Sequence, residues 1–365
     1  MQYEWIKTVA KMSPDYTIIT FGYRFNQKIE PNTLPKNLTS LTFGYRFNQK
    51  IEPNTLPRNL ITLIFGSYFG SCFDQKIEPN TLPEKLTSLT FGNGFNQKIE
   101  PNTLPENLIT LTFGNGFNQK IEPNILPENL TSVTFGRDFN QRIKPKILPE
   151  NLSSLIFGDY FNRKLEPSTL PENLTTIRFG LLFDQIIVLN TLPENLTTLE
   201  FGICFDQKIE HNILPKKLTT VIFGECFNQQ IEPNTLPENL TTVTFGCSFN
   251  QEIDSKMLPH NLKYINFHWL SSSTINPVEY NIENYIEMIN NIPSHYFVKI
   301  LLEENIFYYL GPKWPIHVIG YNENNWSPDI YEIQDKYRHP FYGSITVVIN
   351  KNTYQPYSSD KSALK

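Results

Sequence analysis

A unit of 22 residues recurs along most of this 365-residue chain, and that period restricts the fold more than any other property of the sequence. The copy from Phe43 to Ile64 reads FGYRFNQKIEPNTLPRNLITLI. Phe-Gly pairs open eleven such units, at Phe21, Phe43, Phe65, Phe91, Phe113, Phe135, Phe157, Phe179, Phe201, Phe223 and Phe245, and Phe267 closes the series with His268 in place of glycine. One step, Phe65 to Phe91, is 26 residues long and contains FGSYFGSCFDQ, so four residues near 67–70 have been added without disturbing the frame beyond. An insertion tolerated in this way belongs in a loop.

Within one unit the apolar positions are Phe43, Phe47, Ile51, Leu56, Leu60 and Leu63, and the next repeats them as Phe65, Phe73, Ile77, Leu82, Leu86 and Leu89. Neither helical nor simple strand spacing runs through the whole unit. Only Leu60 to Phe65 reads as a short strand, with Leu63 and Phe65 alternating against Thr62 and Ile64. The rest is turn: Gly66 admits unusual backbone angles, and Pro53 and Pro57 fix φ and are excluded from a central ladder. A lone unit buries too little to offset the entropy of ordering its backbone, so neighbours must supply burial and strand hydrogen bonds. The expectation is a repeat solenoid whose coils stack about twelve strands, centred on Ile19 through Ile265, into a parallel β ladder.

The spacing Leu-x-x-Leu-x-Phe followed by Phe-Asn resembles a leucine-rich repeat with two residues added before the asparagine. In such coils the asparagine side chain bonds to backbone, a role open here to Asn26, Asn48, Asn96, Asn118, Asn140, Asn162, Asn228 and Asn250. Asp74, Asp184 and Asp206 replace it with an acceptor that lacks the donor. FNQKI, LPENL and LTFG together resemble the FNIP repeat family of social amoebae and giant viruses of amoebae, over about two thirds of the chain. Gln-Lys stands where members of that family often carry Gln-Pro. Many relatives have an F-box ahead of the repeats, which implies substrate recognition in ubiquitin ligation. Twenty residues precede Phe21, about half what an F-box needs, so that adaptor role is not carried over.

The net charge of −5 gives no nucleic-acid footprint, and the apolar runs are too short to span a membrane. Met1 to Lys11 lacks the apolar core of a signal peptide, which points to the cytoplasm, that of a host if the chain is viral. Residues 1–20 read as an N-terminal cap, with Tyr16 and Ile19 already in strand register. Cys72, Cys204, Cys226 and Cys247 show no metal spacing and all fall in the two-residue slot after Phe-Gly. Stacking would bring Cys204 and Cys226 within disulfide reach, while a reducing cytosol would keep both as thiols.

Beyond the solenoid at 21–267, residues 268–365 read as a small α+β C-terminal module or an elaborate cap. Ser271 to Thr274 suits a linker, and Pro277 to Asn291 a helix. Tyr296 to Leu310 suits either helix or strand, and Ile316 to Gly320 and Ser344 to Ile349 suit strands. The six histidines are scattered, and no H-E-x-x-H, phosphate loop or nucleophile elbow occurs, so neither catalytic residue, metal ligand nor cofactor is assigned. The competing class is an enzyme or ligand-binding activity in the C-terminal module, with the repeats as a targeting arm.

Comparing the copies shows where specificity would lie. The two residues after each Phe-Gly vary freely, as in Tyr45-Arg46, Asn93-Gly94, Arg137-Asp138 and Asp159-Tyr160, and would line one rim of the strand array. The eighth coil, Phe179 to Glu200, departs furthest: LLFDQIIVLN stands where other coils carry two variable residues and then FNQKIEPN. Leu181, Leu182, Ile186, Val188 and Leu189, with Ile203 one coil on, would expose an apolar patch of several hundred Å², about the limit for a monomer. Either a protein partner, such as a host protein, or the C-terminal module folding back would cover it, or local rearrangement would bury it. The reading adopted is a non-enzymatic protein-interaction scaffold that binds a protein, with no nucleic acid or membrane partner.

Overall fold

The computed structural model describes residues 4–66 and 71–269, together with four strands beyond them. The chain forms two compact units, Met1–Gln207 and Lys208–Lys365.

The first unit opens with a short helix α1 (Glu4–Val9) and strand β1 (Ala10–Met12), which pairs antiparallel with β2 (Ile18–Phe21). Ile6 is fully buried and the Trp5 ring lies 6.4 Å from that of Phe21, so the cap shields the first coil with apolar surface as well as with a strand. Ile19 is in the strand, but Tyr16 is not: it sits in the β1–β2 turn at φ 60°. The side chains of Ser13 and Asp15 accept from the Thr17 amide, an arrangement that tightens a turn and leaves no room for strand geometry at Tyr16.

From β2 onward the strands are β3 (Ser40–Phe43), β4 (Thr62–Phe65), β5 (Ser88–Thr90), β6 (Thr110–Thr112), β7 (Ser132–Thr134), β8 (Ser154–Ile156), β9 (Thr176–Arg178) and β10 (Thr198–Glu200). Each pairs in parallel with the next, equivalent residues opposite one another. The strands are short because each coil bends at three β-turns. In the second coil these are closed by the Phe47, Thr55 and Leu60 amides donating to the carbonyls of Gly44, Glu52 and Pro57, at 3.1 to 3.2 Å. Pro53 then Asn54, the latter at φ 63°, is the pairing that a type II turn requires. Leu63 stands opposite Leu89 although the step between those coils is the long one. The inserted residues 67–70 lie outside the described residues.

Two phenylalanine columns form the core. Phe43 and Phe47 stack within one coil at 3.9 Å between centroids, and each stacks on its equivalents in the next, Phe43 on Phe65 at 5.4 Å and Phe47 on Phe73 at 6.1 Å. The glycine after the first phenylalanine is needed for closeness more than for its backbone angle. Among the described glycines only Gly66 has a positive φ, of 45°. At Gly114, Gly136, Gly158, Gly180 and Gly202, by contrast, a Cβ would lie 1.7 to 1.9 Å from the carbonyl oxygen of the preceding coil's glycine.

The asparagine column works as the resemblance implies, between coils. The side-chain oxygen of Asn26 accepts the Asn48 amide at 2.9 Å, Asn48 accepts the Asp74 amide, and Asp74 accepts the Asn96 amide at 2.8 Å. Since the bond uses only the acceptor, aspartate replaces asparagine without loss. The glutamine that follows reinforces it, as Gln97 Nε2 donates to Asp74 at 3.0 Å. A second ladder, which the sequence reading does not anticipate, uses the asparagine of LPENL. Asn129, Asn151 and Asn173 each donate from Nδ2 to the carbonyl of the glutamate 23 positions earlier, all at 2.8 Å.

In the second unit β11 (Thr220–Ile222), β12 (Thr242–Phe245) and β13 (Tyr264–Trp269) pair in parallel in the same register pattern. Beyond them come β14 (Phe297–Leu302), β15 (His317–Gly320), β16 (Ile330–Tyr331) and β17 (Ile345–Ile349). β14 lies parallel beside β13, β17 pairs antiparallel with β14 and β15, and β16 pairs antiparallel with β15. The start of 296–310 is therefore strand, and both strands expected further on are present. The linker at 271–274 and the helix at 277–291 lie outside the described residues.

Candidate interaction surface

The variable rim is built on a backbone that does not vary. In most coils the amide of the second variable residue donates to the carbonyl of the first variable residue one coil back: Arg46 to Tyr23 at 3.1 Å, Asp138 to Asn115 at 2.8 Å, Leu182 to Asp159 at 2.7 Å. Main chain alone carries these bonds, so the side chains can differ without affecting the frame. Along the first unit the rim changes character. Tyr23 and Tyr45 stack at 4.8 Å, with the Arg46 guanidinium 6.0 Å from the Tyr23 centroid. Further on Arg137 donates to the Tyr160 hydroxyl at 2.6 Å and lies over its ring. The rim then turns apolar at Leu181 and Leu182, both 38% exposed, and at Ile203. The Cys204 amide donates to the Leu181 carbonyl at 2.9 Å, which seats Ile203 beside that pair. All four cysteines are thiols.

Ile186, Val188 and Leu189 fall on a different stretch. The inward Phe183 ends the rim turn, and these three occupy the segment that in other coils carries Lys-x-Glu-Pro. Ile186 is 60% and Leu189 56% exposed, while Val188 is half-buried. Leu189 takes the proline's place in a turn that still closes, with the Thr191 amide donating to the Val188 carbonyl at 3.1 Å and Asn190 at φ 65°. The six residues thus form two groups, Leu181, Leu182 and Ile203 on the rim and Ile186, Val188 and Leu189 on the following segment. Among the described residues, eleven large apolar side chains are exposed, and five of them are Leu181, Leu182, Ile186, Leu189 and Ile203. No other coil contributes more than one, so the eighth coil is where apolar exposure is concentrated.

On the outer strand face, where most coils carry threonine, as at Thr90, Thr112 and Thr134, Arg178 and Glu200 stand opposite each other on β9 and β10 and form an ion pair at 2.9 Å. On the Lys-x-Glu segment, lysine and glutamate pair within a coil, from Lys28–Glu30 at 3.5 Å to Lys120–Glu122 at 2.6 Å. The hydrogen bond from Lys120 holds the Glu122 carboxyl below the usual carboxylate range, helped by the positive charges of Lys120, Lys144 and Lys98. Asp15 is likewise held low by hydrogen bonds from Ser13 and Thr17. The sixth and seventh coils carry a concentration of cations on this segment, Arg142, Lys144, Lys146, Arg163 and Lys164, that the sequence reading passed over. The signal was a lysine, Lys144, in the glutamate column. Among the described residues no group of three or more histidine, cysteine or acidic side chains is placed to hold a metal, and no helix is long and apolar enough to cross a membrane.

A search of the curated proteins found no match. Among solved structures the chain is similar to one described as the crystal structure of CroV588, a novel circular LRR protein structure, from a giant virus. The two are 52% identical with a TM-score of 0.66, and the match covers 68% of this chain and 36% of that one, so the chain spans about a third of that protein's length. A solenoid of this leucine-rich-repeat-like kind is typically a protein-interaction scaffold. The model for the FNIP repeat matches residues 17–46, 25–68, 47–94, 95–138, 139–181, 183–226 and 227–268. With these matches running through more than half of its length, over the coils that the phenylalanine, glycine and asparagine columns hold together, the chain belongs to the FNIP repeat family.

Proposed function

We propose that the protein is a non-enzymatic interaction scaffold that binds a protein partner through the eighth coil, with Leu181, Leu182 and Ile203 on the rim and Ile186, Val188 and Leu189 on the segment after it. The observation that supports this reading is the concentration of exposed apolar side chains at one coil of a frame whose other coils mostly carry polar residues or proline at the same positions. A rigid backbone with side chains that vary only at exposed slots suits recognition, because ordering it on binding costs little. Exposed leucine and isoleucine gain from being covered by a partner and contribute nothing to the stacked core.

The test is affinity capture from the native host cell with the natural chain and with the double variant Leu182→Ser, Val188→Glu. These substitutions are those the repeat itself uses or tolerates, so the melting temperature should hold or rise while capture of stable protein partners falls at least tenfold. A lower melting temperature with a newly protease-sensitive C-terminal region would instead mean that the chain covers the patch itself. Unchanged capture would remove the eighth coil from the binding surface.

A further inference from the structure

The segment after the rim carries a second departure immediately before the apolar one, and the two together define what a partner must look like. In five of the first five coils lysine and glutamate two residues apart neutralise each other, as in Lys76–Glu78 and Lys98–Glu100, both at 3.3 Å. In the sixth coil the glutamate's place is taken by Lys144, so Arg142 has no acid two residues on and reaches forward to Glu166 at 3.1 Å. Glu166 is the acid that Lys164 would otherwise use. One substitution therefore leaves Lys144 and Lys164 exposed with no ion pair among the described residues. Lys146 adds a third such cation, and it does so at φ 67°, in a left-handed turn position where most coils place asparagine. A lysine there is disfavoured relative to asparagine, so the position retains charge at the expense of local comfort. Arg163, in the glutamine's column, spans back to the Asn140 carbonyl at 2.9 Å. Asn140, Gln141, Arg142, Arg163, Lys164 and Glu166 line a shallow groove of about 370 Å³. All this sits on a chain whose net charge is −5.

The same columns continue into the eighth coil as Ile186 after Arg142 and Lys164, Val188 after Lys144 and Glu166, and Leu189 after Pro145 and Pro167. The face is thus cationic over two coils and apolar on the third, in that order along the ladder. We infer that it binds an acidic polypeptide segment with apolar side chains to one side of its carboxylates. This deepens the reading of the eighth coil as a binding surface and rests on it. Coils stack about 4.8 Å apart and an extended peptide advances about 3.3 Å per residue, so carboxylates facing the sixth coil should lie about three residues from apolar side chains facing the eighth, and a peptide carrying its acids first is the one tested. A lipid surface has no such direction in its plane, and on this segment a nucleic acid would meet cations with no aromatic side chain among them on which to stack. Charge complementarity would set both register and partner choice, and a segment with its acidic and apolar halves side by side satisfies both at once.

The test uses fluorescence anisotropy with the full chain and three labelled peptides: Glu-Asp-Glu-Glu-Gly-Leu-Leu-Ile, the same with glutamine and asparagine for its acids, and the same with serine for its apolar residues. The first should bind at least tenfold more tightly than either of the others, and should weaken as salt is raised from 50 to 500 mM. The variant Lys144→Glu, Lys146→Asn restores the repeat's own residues, so it should fold at least as well as the natural chain. It should lose at least tenfold for the first peptide and leave the uncharged peptide unaffected. The variant Ile186→Lys, Val188→Glu should weaken both of those peptides. Equal binding of the charged and uncharged peptides, still sensitive to the eighth-coil variant, would overturn the acidic partner while leaving the eighth coil as a binding surface. No peptide binding at all, or binding indifferent to the eighth-coil variant, would overturn the inference, and loss of the capture result as well would overturn the reading beneath it. Phosphatidylcholine–phosphatidylserine vesicles or a thymidine 20-mer binding at the Lys144 site in place of the first peptide would assign the face to another class of partner.

Discussion

Leu189 separates what the frame requires from what it merely permits. The seven preceding coils place proline at this turn position, where the fixed φ suits the turn and no amide is used. In the eighth coil the turn closes on the same bond with leucine, whose side chain is 56% exposed. Restoring proline, Leu189→Pro, should therefore raise stability by about 0.4 to 1 kcal/mol, chiefly by restricting the unfolded chain. Equilibrium denaturation checks this, and destabilisation would show that the eighth turn is not equivalent to the others. Glycine illustrates the opposite case. Its column was legible in the sequence as a turn signal, but the reason for it was not, because the contact that forbids a Cβ is made by a backbone carbonyl one coil away. The asparagines of LPENL were missed for the same cause: their partner lies 23 positions earlier, and nothing local marks it.

At the scale of the coil, the sequence was most informative where period and burial coincide. The strand at Thr62–Phe65 has Leu63 and Phe65 buried and Thr62 and Ile64 half-exposed, the alternation read from the residues themselves. Tyr16 departs from the strand register because the rule of the repeat does not extend into the cap, where Ser13 and Asp15 impose a turn instead. The long step bears its own prediction. Deleting Ser67 to Gly70 leaves Phe65-Gly66 followed by Ser71-Cys72-Phe73, the ordinary spacing, and Cys72 already bonds to Tyr45 as the second variable residue does elsewhere. The melting temperature should change by less than about 1 °C, below the shift of about 1.3 °C that 1 kcal/mol would give in a chain of this size. A larger fall, read by circular dichroism, would mean that the inserted residues are packed into the frame.

At the scale of the molecule, each unit must protect the end of a ladder. The first does so with α1 and β1, and in the second β14 lies parallel beside β13 and covers its edge. Truncation after Phe267 would remove β14 and leave β13 unpaired on that side, with Leu258, Leu262 and Ile265 close to the cut. The fragment 1–267 should aggregate, and a monomeric, folded fragment by light scattering and circular dichroism would show that the ladder needs no cover there. The candidate surface was legible at this scale only in part. The apolar departures of the eighth coil stood out as residues, whereas the cations before them emerged once the columns were aligned in space and the displaced Arg142–Glu166 pair became visible.

The claim that joins these scales is that regular columns hold the frame and departures from them bind the partner. Hydrogen–deuterium exchange of the full chain, alone and with the protein it captures, tests this most directly. The account predicts added protection at residues 181–190 and 142–146, with the equivalent segments of the second to fifth coils unchanged. Protection spread evenly over all coils, or centred on Tyr23 and Tyr45 with the eighth coil unaffected, would contradict it.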